Sequence, residues 1–552
     1  MNLTTSDIAA AYDDLAARAE TAGPDDWAGL FGDFNALQAR LYGEGRRRRY
    51  AYTKDMRRED AEARDREYRE SIRPAMDTGA SRFVQLMLSS PHRHVLTELH
   101  GTQLLRVLDV AQPTLEAINT ELRTEVGRLC QRYDKANASA TVQVEGESLT
   151  LAQARGNTSS SNASLRRHSW KAWRGWYRDQ RDALGNTFDE LVHARHTMAR
   201  NLGYPNFLKL GYAGMGRTDF GPQQSETFRR NVATHVVPVL ARMREAQAQS
   251  LGVSTLRPWD VGFHPELTLP DGAAQPIDGQ LDKAEQVFEA LSPRLSEHFK
   301  RMRRLGLIDL ENRPGKAAGA YCAAFPDENK VVIFCNSVGN ERDVSTLFHE
   351  MGHAFQCWES QWIEPIALRW PTLETAEVHS MGMEFLSLPE LHRFFGAEHA
   401  RRFAVARWKK AVDLLCYVAV VDAFQHWIYT NPTASLDDRD AQWIALQAQF
   451  QPGEDWSDEA APFEATRWYA QLHIFRYPFY YIDYALAEMG AMQLALVAAR
   501  DRSQAMETYL ELCRLGGTGS MMELLGAVGL RSPFDESLMV ELMEHTTETL
   551  SL

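Results

Sequence analysis

Residues 349–353 read HEMGH, which sets two imidazoles one helical turn apart with a carboxylate beside the first. At about 100° per residue, His349 and His353 stand only about 40° apart on a helix, so both rings point at one position. Neutral imidazole nitrogens bind zinc at about 2.0–2.1 Å. Glu350, one step round the helix, can reach a metal-activated water without taking a coordination place. Zinc lowers the pKa of such a water to about 7, where a neighbouring carboxylate can accept its proton. The pattern predicts a hydrolytic metal centre.

A catalytic zinc takes a third protein ligand and keeps a fourth position open. The next carboxylate cluster is PTLETAEVHSMGMEF, 371–385, with Glu374, Glu377, Glu384 and His379 as candidates. His379 falls about 200° from Glu377, so the two cannot face one ion. Glu374 reads as a surface acid in an ion pair. Glu377 and Glu384 share a face seven residues apart, which suits one ligand and one carboxylate that orients a histidine. Periodicity does not choose between them.

A second concentration of chemistry is WYAQLHIFRYPFYYIDYALAEMG, 468–490. Tyr477, Tyr480, Tyr481 and Tyr484 fall at i, i+3, i+4 and i+7, one stripe of a helix that Pro478 would start. Four phenols packed as plain core would leave four hydroxyls in need of partners. Hydrolysis of an acyl bond needs neutral donors aimed at a developing oxyanion, and a phenol is one.

The elements that must hold these groups are also legible. Val344, Leu347, Phe348, Met351 and Phe355 form one stripe, so the histidine helix should turn that face to the core. Asp343 reads as its N-cap, and Gly352 as a place of close approach. KVVIFCN, 330–336, predicts a strand directly upstream that could pair with an extended substrate. TVQVEGESLT predicts a hairpin turning at Glu145-Gly146. Ala-, Leu-, Glu- and Arg-rich stretches predict helices from Ser6 to about Lys135, and 257–276 and 311–330 read as loops. The polar stretch GNTSSSNAS, 156–164, suggests a division into an N-terminal helical region, 1–155, and a catalytic region, 156–552.

A net charge of −14 over 552 residues argues against wholesale binding to nucleic acid or anionic membrane. The basic run around Arg46–Arg49 has acidic neighbours and reads as a salt-bridged helix face. The apolar run AVDLLCYVAVVDAF is short for a membrane span. The N-terminus lacks the apolar stretch of a secretory signal, and six scattered cysteines without a CxxC pair read as free thiols. A cytoplasmic setting is the expectation. Cys322 and Cys335, flanking the predicted strand, read as buried inert thiols, with redox sensitivity the alternative.

DVSTLFHEMGHAFQ followed by PTLETAEVHSMGMEFL resembles the thimet oligopeptidase and oligoendopeptidase F family of zinc metallopeptidases, nearest the oligoendopeptidase F and Pz-peptidase branch. LGYPNFLKLGYAGMGRTDF and GGTGSMMELLGAVGL share the likeness, which covers roughly 150–545. The family's third ligand lies in a segment of the form E-x-x-S. Glu377-Val378-His379-Ser380 matches it, so the resemblance implies one Zn2+ per chain on His349, His353 and Glu377. It implies that Glu350 is the general base and that His473, Tyr481 and Tyr484 bind substrate and steady the transition state. Tyr477 matches a family tyrosine only across a one-residue gap, and Tyr480 matches one without a role.

The implied fold is mainly α: a two-lobed helical zincin-type metallopeptidase with a small β-sheet beside the HExxH helix and a deep substrate channel. The implied activity is endopeptidase cleavage of short unfolded peptides. A carboxypeptidase or dipeptidyl carboxypeptidase is the alternative, with Arg476 or another arginine as a clamp for a terminal carboxylate. A non-enzymatic helical binding protein is a third, more remote reading.

Overall fold

The computed structural model describes residues 4–267 and 276–552, so 268–275 of the expected loop 257–276 lie outside the described residues. Helices dominate, as the composition predicts. The two small sheets are the exceptions. Strands β1 (Thr141–Val144) and β2 (Glu147–Thr150) form the expected antiparallel hairpin. Its two-residue turn puts Glu145 at φ 50° and Gly146 at φ 90°, both in the left-handed region that matches the twist of a tight hairpin.

The second sheet is built from β3 (Ile308–Glu311), β4 (Tyr321–Phe325) and β5 (Lys330–Ser337), in the order β3-β5-β4. β5 carries the predicted KVVIFCN run, and its residues 331–335 are buried. It pairs in parallel with β3 and antiparallel with β4. Both of its edges are therefore taken, which corrects the expectation that this strand pairs with substrate. The neighbour next along the chain, β4, is an edge strand.

Directly after β5 comes the histidine helix, Glu341–Glu359. Its N-cap is Asn340, whose side chain accepts from Asp343 N–H at 3.2 Å. Asp343 sits at the third helical position and returns the bond to Asn340 N–H at 3.0 Å, also accepting from Val338 and Gly339 N–H. The predicted cap is thus one half of a reciprocal capping box, three residues into the helix. Val344, Leu347, Phe348, Met351 and Phe355 are all at most 1% exposed, as the stripe requires. The glutamate helix, Leu373–Ser387, follows, with Thr372 at its N-cap.

Two hydrophobic cores form. The first draws on residues 8–104 of the N-terminal helices. The second starts at Leu129 and Tyr133 and runs through the rest of the chain. Ile363 and Leu368, in the connection between the histidine and glutamate helices, belong to the first core.

The Arg46–Arg49 run lies on the helix Trp27–Lys54. Arg47 bonds Glu44, Asp327 and Glu328, Arg48 bonds Glu44 and Glu67, and Arg49 bonds Asp65. This is a salt-bridged face. The apolar run 411–424 extends into a helix of 39 residues, His392–Thr430, longer than expected and kinked at Gly396. It and the helix Tyr481–Arg500 are long and apolar enough to cross a membrane, but 72% of each apolar window is buried in the core. All six cysteines are unpaired; Cys335 is buried and Cys322 partly so, and burial pushes both thiols up.

Candidate metal centre and active site

Gly352 explains how two helices come close enough to share an ion. A Cβ on that residue would stand 2.4 Å from His379 O and 2.6 Å from Ser380 Cα, so the histidine and glutamate helices meet backbone to backbone. Tyr509 fastens the contact by donating from its hydroxyl to His379 O at 3.1 Å. His379 itself is fully buried, lies outside the converging group, and has the Tyr509 ring at 6.4 Å between centroids.

Across this contact one ligand atom each from His349, His353 and Glu377 lie within 4.8 Å of one another. Glu377 Oε2 is 3.4 Å from His349 Nε2 and 3.7 Å from His353 Nε2. These separations are longer than good hydrogen bonds, as expected of donors that converge on a shared centre. Two imidazoles and a carboxylate are the donor set of a hydrolytic zinc, so the residues present fit that ion. Ser380 Oγ donates to Glu377 Oε2 at 3.0 Å and fixes its rotamer. His353 packs against Trp370 at 5.4 Å between ring centroids.

The open choice between Glu377 and Glu384 has a geometric answer: they occupy different layers. Glu384 Oε1 lies 2.8 Å from His349 Nδ1, on the far side of that ring from Glu377. It therefore orients the imidazole with Nε2 toward the other two groups. Glu384 Oε2 accepts from Ser345 Oγ at 3.2 Å and Arg407 Nε at 3.0 Å. Arg407 grips Glu488 with its two remaining nitrogens, and this arginine and both glutamates are buried. No spacing in the sequence links Arg407 and Glu488 to the histidines.

Electrostatics follow from the crowding. Burial alone would depress His349, but the neighbouring carboxylates of Glu377 and Glu384 carry it up to about 10. Burial would raise Glu377, yet the two histidines and Ser380 hold it at about 2. Burial lowers His353 to about 3 and lifts Glu350 to about 7. Glu350 is 6% exposed and its Oε2 has no hydrogen-bond partner, an unsatisfied acceptor placed beside the candidate ligands. Glu374, read as a surface acid, is instead 1% exposed with both oxygens unpartnered, and burial raises it to about 8.

The aromatic segment departs from the predicted single helix. A short helix ends at Arg476, Phe479 adopts φ 67°, and the long helix begins only at Tyr481, not at Pro478. Phe479 tolerates this strained backbone because its ring is fully buried and its N–H donates to Gln425 Oε1 at 2.8 Å. The break gathers the rings rather than scattering them. His473 has Tyr481 at 4.8 Å, Tyr480 at 5.7 Å and Tyr484 at 5.9 Å between centroids. Tyr480 donates to Glu377 Oε1 at 3.5 Å, which ties this cluster to the candidate ligands. Tyr477 lies at the outside, 41% exposed.

Tyr417 donates to Gln471 Oε1 at 2.9 Å, so the amide's Nε2 faces His473 Nδ1 at 2.7 Å. That network assigns the imidazole proton to Nε2. Burial and the nearby Arg476 lower His473 to about 4, leaving it neutral at pH 7. Arg476 is paired with Asp134 at 3.1 Å and caps the Tyr477 ring.

Two cavities flank these groups. One, of about 430 Å³, lies between the N-terminal helices and the catalytic region, with Phe31, Phe34, Leu104 and Phe325 in its lining and Trp370 at the histidine side. The other, of about 710 Å³, has Tyr481, Tyr417 and Gln471 in its wall.

A family model described as Peptidase family M3 matches residues 157–544. Over 385 residues the chain is 22% identical to the oligoendopeptidase F homolog of Lactococcus lactis subsp. lactis (strain IL1403), covering 67% of this chain and 61% of that protein. It is 21% identical, over the same coverage, to the plasmid oligoendopeptidase F of Lactococcus lactis subsp. cremoris. The match thus spans 61% of the length of these curated relatives. The solved structure of Pz peptidase A with inhibitor 2 superposes with a TM-score of 0.91 at 29% identity, covering 100% of this chain and 98% of that one.

Proposed function

This chain belongs to peptidase family M3, and from that premise and the geometry of the site we propose that it is a zinc-dependent endopeptidase of short unfolded peptides. The observation that carries the reading is the convergence of His349, His353 and Glu377 within 4.8 Å, with Glu350 buried and unsatisfied beside them. The three would hold one Zn2+, and Glu384 would keep His349 presented through Nε2. Bound there, zinc supplies Lewis-acid polarisation of the scissile carbonyl and activation of water.

Glu350 takes a proton from the attacking water and delivers it to the departing amine. Its burial suits both halves of that task, since a carboxyl lifted to about 7 gives up and accepts protons near neutrality. Tyr481, Tyr484 and the Nε2–H of His473 are neutral donors for the oxygen that gains charge as the carbonyl becomes tetrahedral. Tyr480 steadies Glu377. The edge strand β4 can take an extended peptide by main-chain pairing, which reads no particular side chain. Six unpaired thiols accord with a cytoplasmic setting. Arg476 is paired with Asp134, so an exopeptidase would have to draw its clamp from another arginine.

The test is hydrolysis of a quenched peptide blocked at both ends. Cleavage at an internal bond, abolished by a chelator and restored by zinc, is the expected result. Cleavage only when an end is free would sink the endopeptidase reading, and chelator-resistant cleavage would sink the metal.

A further inference from the structure

The larger cavity is unlike a generic peptide channel in its charge. Six cations line it, and three of them have local acids: Arg244 pairs with Asp413 and Glu454, Arg467 with Glu454, and Lys409 with Glu266. The remaining three, Arg155, Arg174 and Lys410, form no ion pair among the described residues, Lys410 acting on Glu384 only at longer range. Glu341 is the one lining acid also without an ion pair, which leaves a surplus of positive charge.

Arg174 is the informative member. It is 6% exposed, yet its Nε and Nη1 have no hydrogen-bond partner. Its guanidinium lies 4.0 Å from the Trp173 ring centroid, and Arg155 approaches the same indole at 5.7 Å. A buried guanidinium without a carboxylate is a costly arrangement, since the Trp173 ring offsets only part of the hydration the charge has lost. Burial and the neighbouring Arg467 lower it to about 9, so it still carries its charge at neutral pH. A ligand carboxylate would supply the missing partner.

Resting on the peptide-cleaving reading above, we propose that this cavity is a carboxylate subsite. Arg174, with Arg155 and Lys410 at its rim, receives an anionic group of the bound peptide, either its C-terminal carboxylate or an acidic side chain. The wall shared with the chemistry is Tyr481, which lines the cavity and touches His473, so an anchored carboxylate places the chain alongside the donors of the oxyanion. Guanidinium is the fitting donor, because it presents a planar fork to a carboxylate.

Binding to the metal-free protein tests this without any turnover. Trp170, Trp173 and Trp456 line the cavity and report through intrinsic fluorescence. Three peptides are titrated: one with a free C-terminus and one Glu, its C-terminal amide, and its Glu-to-Gln twin. The expected result is that one of the two neutralised peptides binds about tenfold more weakly, as for loss of a charged hydrogen-bonded pair, and which one identifies the carboxylate. Arg174→Gln should erase the difference and Arg174→Lys should restore part of it. Because Arg174 is buried, Arg155→Gln/Lys410→Gln, at the exposed rim, serves as a second variant and should shrink the same ratio. Equal binding of all three peptides, or a ratio that survives both variants, would overturn the subsite. Loss of chelator-sensitive hydrolysis of a blocked neutral peptide would instead overturn the catalytic reading and leave this binding result standing.

Discussion

The helix pair with His349, His353 and Glu377 and the segment with His473 and the tyrosines face the same place, but they are built by opposite rules. The helix pair is held by main chain against main chain at Gly352, and its polar groups are locked in a buried Glu384–Arg407–Glu488 net. The aromatic segment is broken at Phe479 and is held by rings leaning on rings around His473. The difference suits the two tasks proposed for them. Ligands of an ion need fixed separations, which backbone contact supplies. Donors to an oxyanion need only reach an oxygen that exists for part of the reaction, and ring packing permits that.

Substitutions can break or sharpen this contrast. The largest effect on rate is expected from Glu350→Gln, which should cut kcat by about 10²–10⁴-fold while leaving metal content unchanged, measured by peptide hydrolysis and atomic absorption. Arg407→Gln should strike stability, by about 3–5 kcal/mol in urea unfolding, because it strands Glu384 and Glu488 as buried charges. It should also weaken metal retention, since His349 loses its orienting partner's anchor. Tyr484→Phe should lower kcat by about 10²–10³-fold with the thermal midpoint unchanged, as for one lost oxyanion donor. Gly352→Ala should cost about 1–3 kcal/mol, because its Cβ meets His379 O at 2.4 Å and the helices must part. Tyr477→Phe, at the exposed outer end of the cluster, should change stability by less than about 0.5 kcal/mol. A large loss of activity there would redraw the aromatic half of the site.

The two halves were not equally legible in the chain. The histidine helix, its apolar stripe and the role of Gly352 follow from one period and one small residue, because all three are local. The cap lies three residues earlier than expected, since Asp343 and Asn340 exchange bonds and either could be read as the cap. Glu377 and Glu384 share a helical face and separate only when His349 is seen between them. The tyrosines were named correctly as a cluster but assigned to one helix, because a left-handed Phe479 leaves no mark in composition. Arg407, Glu488 and Arg174 were invisible. Their partners, or the lack of them, are set by packing between residues far apart in sequence. The division of the chain at 156–164 rests on polarity. The packing of Leu129 and Tyr133 with the later residues reflects contacts that polarity does not record.

The strap of chain between the histidine and glutamate helices has a mechanical consequence. Ile363 and Leu368 are rooted in the N-terminal core, Asn35 clasps Glu364 O and Ile366 N–H at 2.8 Å each, and Gly517 N–H holds Leu368 O at 2.7 Å. Any wide swing of the N-terminal helices would drag on the leash that joins the second histidine to the glutamate, and so would tug the ligands apart. The first hundred residues thus cover the connection between the two helices, and a chain shorn of them would leave that leash bare.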